Sequence, residues 1–247
     1  MNTHVFKITA KTNLHVGNES GGDFTIIDKA IQRDPLTGLP CINSSSLKGA
    51  INEYCCKALN WKEDDLIRVF GSDKGKRKRD TQKGEAIFFD AKLLYLPQQD
   101  DNTLFHFETT TNIVAMMNKR VQLFDNKFNY VVEKNIGDKP VVVLADKKKK
   151  DNKGKEITVT ANKQFENKCS DDNLPIIARN VLENGESKNL WYEQVLPAET
   201  VLYTIIQEKS DMLAKALNGE IVQIGANATI GYGYCKFEEI KVKEGVL

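Results

Sequence analysis

The feature that most limits how this chain can fold is the shortness of its apolar runs. They switch between two-residue and helical spacing and are cut apart by polar, turn-rich stretches. Residues 3–10 (THVFKITA) alternate as a half-buried strand does. Ser44-Ser45-Ser46 then supplies hydroxyls for a helix start, and Leu47, Ile51, Tyr54, Cys55 and Ala58 recur at helical spacing, which predicts a helix from about Ser46 to Asn60. Glu85 to Leu96 reads as a strand, Thr109 to Asn118 as a short helix with Ile113, Val114 and Met117 on one side, and Val141 to Leu144 and Ile157 to Thr160 as a hairpin. Further strands are expected from Val195 to Ile206 (broken by Pro197), Glu220 to Ile224 and Tyr232 to Val242, with a helix from Lys209 to Asn218 closed by Gly219. That order fits an α+β sheet with helices on one face, and the 247 residues are read as a single domain.

No run approaches the ~18 apolar residues that a membrane-spanning helix needs, and the first residues show no secretory pattern. The five cysteines (Cys41, Cys55, Cys56, Cys169, Cys235) are odd in number and include an adjacent pair, which fits reduced thiols in a cytoplasm better than a disulfide framework. Overall charge is close to balanced, 35 Lys+Arg against 34 Asp+Glu, so only local clustering bears on a polyanionic partner. Two stretches are clustered. Gly71 to Gly84 and Lys147 to Lys155 each carry six basic residues, and they are read as solvated loops suited to phosphate contact. Zinc spacing is missing, and Gly71-Ser-Asp-Lys-Gly75-Lys76 is one residue short of a nucleotide-binding loop, with Arg77 where a magnesium-holding hydroxyl belongs.

Two segments invite an anion. Ser44 to Gly49 opens a helix, where N–H groups and hydroxyls face outward and Lys48 adds charge. Gly225 to Gly233 (GANATIGYG) could wrap a phosphodiester with its amides. His15, Asp28, Arg33 and Asp34 fall within about twenty residues. A histidine after Leu14 is more often structural, and a carboxylate after an apolar run is either a strand cap or a positioned base. The chemistry by itself does not choose.

Leu14-His15-Val16-Gly17, Ile27-Asp28, Ile31-Gln32-Arg33-Asp34-Pro35, Thr37-Gly38-Leu39-Pro40 and Ser45-Ser46-Leu47-Lys48-Gly49 occur in the order found in RAMP-superfamily proteins of type III CRISPR systems. Ala178 to Leu182, Leu190-Trp191-Tyr192-Glu193 and Leu196-Pro197 resemble the Cmr-type (type III-B) backbone subunit in particular, and Ile224 to Gly233 resembles the superfamily's glycine-rich loop. The resemblance implies a modified ferredoxin-like (RRM-related) core with loop insertions near 71–84 and 140–175 and a protruding thumb hairpin, for which the basic hairpin near Lys147 is the candidate. It implies a subunit that binds CRISPR RNA, polymerises with further copies of itself along the guide, assembles with other Cmr-type subunits and cuts the paired target RNA with a divalent metal ion, magnesium or manganese.

The family's target-cutting carboxylate falls on Asp28, as catalytic group or metal ligand, with His15 and Glu193 as secondary catalytic candidates. Arg33, Ser45, Ser46, Lys48, Gly225, Gly231 and Gly233 are the candidate RNA-binding residues. Lys29-Ala30 stands where the family usually has an apolar residue and a proline, Asn43-Ser44 replaces a usual Pro-Gly, and Ala226 replaces a glycine. Two other readings stay open: a structural RNA-binding subunit that does not cut, and a stand-alone RNA-processing endoribonuclease using His15.

Overall fold

The computed structural model describes residues 1–18, 27–72, 82–101, 104–130, 132–134, 141–144 and 157–240. The strands are β1 (Asn2–Ala10), β2 (Cys41–Ile42), β3 (Ile87–Phe88), β4 (Ala91–Asp100), β5 (Leu104–Thr109), β6 (Val132–Lys134), β7 (Val141–Leu144), β8 (Ile157–Val159), β9 (Ile176–Glu183), β10 (Glu186–Gln194), β11 (Val201–Glu208), β12 (Ile221–Gln223) and β13 (Tyr234–Glu239). The helices are α1 (Ser44–Lys57), α2 (Glu63–Phe70), α3 (Thr111–Gln122), α4 (Asn162–Lys168) and α5 (Met212–Leu217).

One large sheet runs β12-β13-β1-β11-β4-β5-β8-β7-β6, with β2 paired to β4 and β3 to β11. Its described ladders are antiparallel except β5 with β8. The expected α+β architecture holds. β1 lies between β11 and β13, where Val5, Phe6, Ile8 and Ala10 are buried. Leu47, Ile51 and Cys55, spaced four residues apart, give α1 its buried stripe. Each fully buried Leu or Ile of this kind is worth about 1.5–3 kcal/mol. α1 packs on α2, β3 and β12, and α5 packs on β13. Phe6 meets Phe237 edge-on, ring centroids 6.0 Å apart.

Several boundaries differ from expectation, each for a local reason. α1 begins at Ser44 rather than Ser46, and its N-cap Asn43 makes no side-chain capping bond; the Ser44 N–H instead donates to Asp90 Oδ1 at 2.8 Å. The strand read over Glu85 to Leu96 divides into β3 and β4, because Phe89 N–H donates to the Ile205 carbonyl and Asp90 turns toward α1. The third helix starts later, at Thr111, since Thr110 Oγ1 caps it by accepting the Ile113 N–H at 3.2 Å. β11 begins at Val201, after a Pro197–Thr200 turn with Glu199 at φ +70°. α5 shortens to Met212–Leu217 because Asp211 sits at φ +54° and the buried Glu208 carboxylate accepts the N–H groups of Leu213 and Ala214.

After α2, Gly71 bridges Lys83 and Ser72 N–H donates to the Gln82 carbonyl. A side chain on Gly84 would run into the backbone of Val69 to Gly71. Residues 73–81 and 145–156, which hold most of the basic residues of both loops, lie outside the described residues, as does the candidate thumb tip near Lys147. β7 and β8 do pair antiparallel, as expected of that hairpin.

An unexpected element stands apart from the main sheet. β9 and β10 form a separate two-stranded hairpin, closed by Asn184 (φ +54°) and Gly185 (φ +87°). Much of it is exposed, including Val181, Leu182, Leu190 and Tyr192. The two blocks that carry the Cmr-type resemblance are its facing strands, with Leu190 opposite Asn180, Trp191 opposite Arg179 and Tyr192 opposite Ala178. All five cysteines are unpaired, and burial pushes the Cys55 and Cys235 thiols up to about 12.

Candidate functional site

Residues 28–31 reach the base of this hairpin, where Lys29 makes an isolated parallel bridge to Glu193. The N–H groups of Asp28 and Lys29 both donate to the Tyr192 carbonyl at 3.1 Å, and Gln194 N–H donates to the Lys29 carbonyl at 2.9 Å. The Asp28 side chain completes the stitch, with Oδ2 accepting the Tyr192 N–H at 2.7 Å. Asp28 is exposed, so its second oxygen remains open to solvent. The carboxylate is thus both a strand cap and a presented group, and the two readings of the sequence are not exclusive.

Glu193, next along β10, does something different. It is buried, and it accepts from Lys29 Nζ (3.1 Å) and Trp191 Nε1 (2.8 Å) through Oε1 and from Asn227 Nδ2 (2.8 Å) through Oε2. Burial raises its pKa, but the hydrogen bonds from Trp191, Lys29 and Asn227 outweigh burial and hold the carboxyl below its usual range. Lys29 Nζ also lies over the Trp191 ring, 5.0 Å from its centroid. A carboxylate so fully bonded is built to hold groups together. Through it, the Asp28 loop, the hairpin and the glycine-rich loop share one node.

His15 is buried beneath the same node. Its Nδ1 contacts the Gln194 carbonyl at 2.7 Å; a carbonyl only accepts, so Nδ1 carries the proton there. The His15 carbonyl in turn accepts the Ala226 N–H at 2.9 Å. Gly225 sits at φ +81°, where a side chain would strike the His15 carbonyl oxygen, and at Gly233 it would strike that of Ile224. Backbone packing therefore demands both glycines. Gly231 (φ +84°) has open space around it. Five amides of this loop, those of Ala226, Ile230, Gly231, Tyr232 and Gly233, already donate to backbone carbonyls, which leaves fewer to meet a phosphate than the sequence suggests.

The helix start and the glycine-rich loop do come together. Val16, Gly17, Gln32, Ser46, Glu53, Gln223 and Gly225 line an open cleft of about 300 Å³. Gln32 organises it: Oε1 accepts the Asn43 N–H at 2.7 Å, and Nε2 donates to Ser46 Oγ (3.0 Å) and to the Gly17 carbonyl (3.2 Å). The N–H groups of Ser45 and Ser46 precede the first intrahelical bond, from Leu47 to Asn43, so they are available to an acceptor. Ser45 is exposed and Lys48 half-buried, and among the described residues Lys48 makes no ion pair.

Arg33 is placed differently. Its guanidinium bonds Asp171 Oδ1 (2.6 and 3.1 Å) and the carbonyls of Gly38 and Cys169, tying the 34–39 turn to the segment after α4. Its neighbour Asp34 accepts the Leu36 and Thr37 N–H groups and pairs with Lys92 at 2.5 Å. This motif holds the loop's far end more than it offers charge to a ligand.

The residues assigned no role in the site from sequence are Lys29, Trp191, Asn227 and the buried pair Gln32 and Gln194. The hairpin itself had a legible signal in Asn184-Gly185. Among the described residues no three His, Cys, Asp or Glu side chains are grouped to hold a metal ion. A single presented carboxylate nonetheless suits a magnesium-like cation, which keeps most of its waters and takes one or two carboxylates together with substrate phosphates.

Comparison with known proteins bears on the chain from end to end. A family model described as the RAMP superfamily matches residues 7–236. The CRISPR system Cmr endoribonuclease Cmr4 of Pyrococcus furiosus is 25% identical over 96% of this chain and 95% of its own length. Among solved structures, one chain of the type III-B Cmr-beta complex bound to cognate target RNA superposes with a TM-score of 0.71 at 20% identity, covering 97% of each chain. Oligomeric Cmr4 from Pyrococcus furiosus gives 0.67 at 18%, covering 99% of this chain and all of that one.

Proposed function

The chain belongs to the RAMP superfamily, and from that premise we propose that it is the backbone subunit of a type III-B (Cmr-type) effector, binding CRISPR RNA and cutting the target RNA paired to it. The observation that carries this reading is the convergence of residues 14–17, 28–33, 43–47, 191–194 and 223–233 through shared contacts, with Asp28 presented at the base of the hairpin and a cleft lined by Gln32, Ser46 and Gly225. The relative that spans nearly the whole chain is itself named an endoribonuclease of a Cmr system.

In this reading Ser45, Ser46, Lys48 and the open side of the loop at Gly231 receive guide phosphates. Those contacts are blind to sequence, as a subunit serving any guide requires. The β9–β10 hairpin, better exposed than expected of any element but the basic loops, takes the role of the thumb that the sequence assigned to the region near Lys147. Further copies of the chain and the other Cmr-type subunits complete the assembly.

The chemistry assigned to Asp28 is proton acceptance. Its solvent-facing oxygen takes the proton of a target 2′-hydroxyl; the 2′-oxygen so freed attacks the adjacent phosphorus to form a 2′,3′-cyclic phosphate, the P–O5′ bond breaks, and the departing 5′-oxygen takes a proton from water to become a hydroxyl. A divalent ion would supply charge stabilisation there, held by RNA phosphates while Asp28 takes the proton; with Asp28 as its ligand instead, the ion's bound water would be the base. Glu193 and His15 act by support: one joins the loops, the other fills the space beneath them. This placement tells against a stand-alone nuclease using His15, whose ring is buried with Nδ1 already bonded.

The test is cleavage of matched RNA by the assembled, guide-loaded complex, against a mismatched RNA. Cuts at regular spacing in the matched RNA alone support the reading, and an intact matched RNA overturns it. Binding itself makes a second expectation. If about four phosphates are neutralised per subunit, log K against log salt should slope near −3, and Lys48→Ala should make that slope shallower by about 0.7. Filter binding across a salt series checks this. A strong preference among equal-length RNAs of different sequence would contradict it.

A further inference from the structure

We propose that Lys29 is a positioning residue for Asp28: its side chain clamps β10 so that the neighbouring carboxylate keeps one register and one orientation. The inference rests on the reading above, in which Asp28 does the cutting.

Neither Lys29 nor Ala30 restrains its own backbone as a proline would, so the loop's geometry has to come from contacts. The contacts are two-sided. On the main-chain side, Asp28 and Lys29 grip Tyr192 through its carbonyl and its N–H. On the side-chain side, Lys29 reaches the residues flanking Tyr192. Its ammonium lies over the Trp191 ring and pairs with Glu193 Oε1. Trp191 Nε1 donates to that same oxygen, which closes a three-membered cluster around Tyr192.

A slip of one residue along β10 would break every one of these contacts at once, since each step moves the loop past a side chain of opposite facing. Without the lysine the main-chain bonds remain, but the loop can peel, and the Asp28 carboxylate can leave the Tyr192 N–H and turn. The lysine is half exposed and contributes little to the core, so its value lies in placement. Charge matters as well as shape: among the described residues Lys29 is the one cation paired with the buried Glu193 carboxylate.

The test uses the assembled guide complex and single-turnover cleavage of matched RNA, with Asp28→Asn run in parallel. Lys29→Met keeps the aliphatic stem and loses the charge. It should slow cleavage by about 10- to 100-fold, the scale of a misplaced reacting group, with guide binding and target affinity unchanged and a lower melting temperature, because the buried Glu193 carboxylate loses its cation. Lys29→Arg should stay within about threefold of wild type, because a guanidinium also stacks on an indole and pairs with a carboxylate. If Asp28→Asn is dead while Lys29→Met cuts at the wild-type rate, the positioning role is overturned and the cleavage reading survives. If Asp28→Asn cuts normally, the cleavage reading has failed and takes this inference with it. If Lys29→Met loses assembly or target affinity in step with rate, or if Lys29→Arg is as slow as Lys29→Met, the lysine is structural and the proposal fails.

Discussion

Asp28→Asn should leave guide binding and subunit assembly intact and slow target cleavage by on the order of 10²–10⁴-fold, the range expected when a positioned acid or base is lost. The substitution is close to isosteric. The asparagine side-chain oxygen can still accept the Tyr192 N–H that Oδ2 accepts at 2.7 Å, so the loop stays on β10. The second oxygen is replaced by an amide NH₂, which donates and cannot take a proton. Rate and geometry are thereby separated, as they would not be in Asp28→Ala, which also removes the cap. Assembly by size-exclusion chromatography and cleavage by gel should be read on the same sample. Wild-type cleavage would reduce Asp28 to a strand cap. Loss of assembly would show that the amide had failed to keep the loop in place.

Lys92→Met should destabilise the fold by about 3 kcal/mol, the lower end of the cost of stranding a buried charge pair, because Asp90 is partly open to water. Lys92 is the cation between two carboxylates, 2.5 Å from Asp34 and 2.9 Å from Asp90. Asp34 also accepts the Leu36 and Thr37 N–H groups, and Asp90 holds the first N–H of α1. Removing the lysine leaves two anions facing each other where β4, the 34–39 turn and the start of α1 meet. For a chain of this length that corresponds to a fall in Tm of roughly 6–12 °C.

The effect is pH-dependent, with a definite sign. Burial pushes the Asp34 pKa up, but Lys92 and the two backbone N–H groups outweigh it and hold the carboxyl down at about 2, against 3.8 ordinarily. A lowered folded-state pKa gives stability that is fully present above 3.8 and lost as pH falls through about 2. The gap in Tm between wild type and Lys92→Met should therefore be widest near neutrality and close across that acid window. A constant gap from pH 6 to pH 2 would mean that the lysine acts by packing alone.

How much of this was legible beforehand depends on what each residue had to meet. β1, α1, α3 and β13 announce themselves because each buries a regular stripe, and the apolar spacing of Leu47, Ile51 and Cys55 survives intact in the structure. The β9–β10 hairpin carries no such stripe. Most of its residues face solvent on both sides, so alternation has no reason to appear, and only Asn184-Gly185 marks it. Ends of elements moved wherever a distant group competed for the cap. Asp90 and Gln32 supply the bonds at the start of α1 that the serine hydroxyls were expected to make.

The site divides along the same line. The segments that form it were all recognisable as motifs, but the roles within it were set by partners far along the chain. Glu193 reads as a candidate acid until Lys29, Trp191 and Asn227 are seen to fill it. Arg33 reads as a phosphate ligand until Asp171 occupies its guanidinium. Gly225 and Gly233 read as room for a ligand, whereas the space beside them is filled by carbonyls of the protein itself.

The central place of β1 has a consequence for synthesis. It is made before every other described strand, yet its two neighbours are β11 and β13, about 200 and 230 residues later. At translation rates of about 5–20 residues per second, β1 waits on the order of 10–40 s for β11 to emerge and longer for β13. Throughout that interval Val5, Phe6 and Ile8 sit on a strand with both edges open, the condition most prone to pairing with the wrong chain. The hazard this topology carries lies in that wait rather than in the finished sheet, whose central strand has both edges covered.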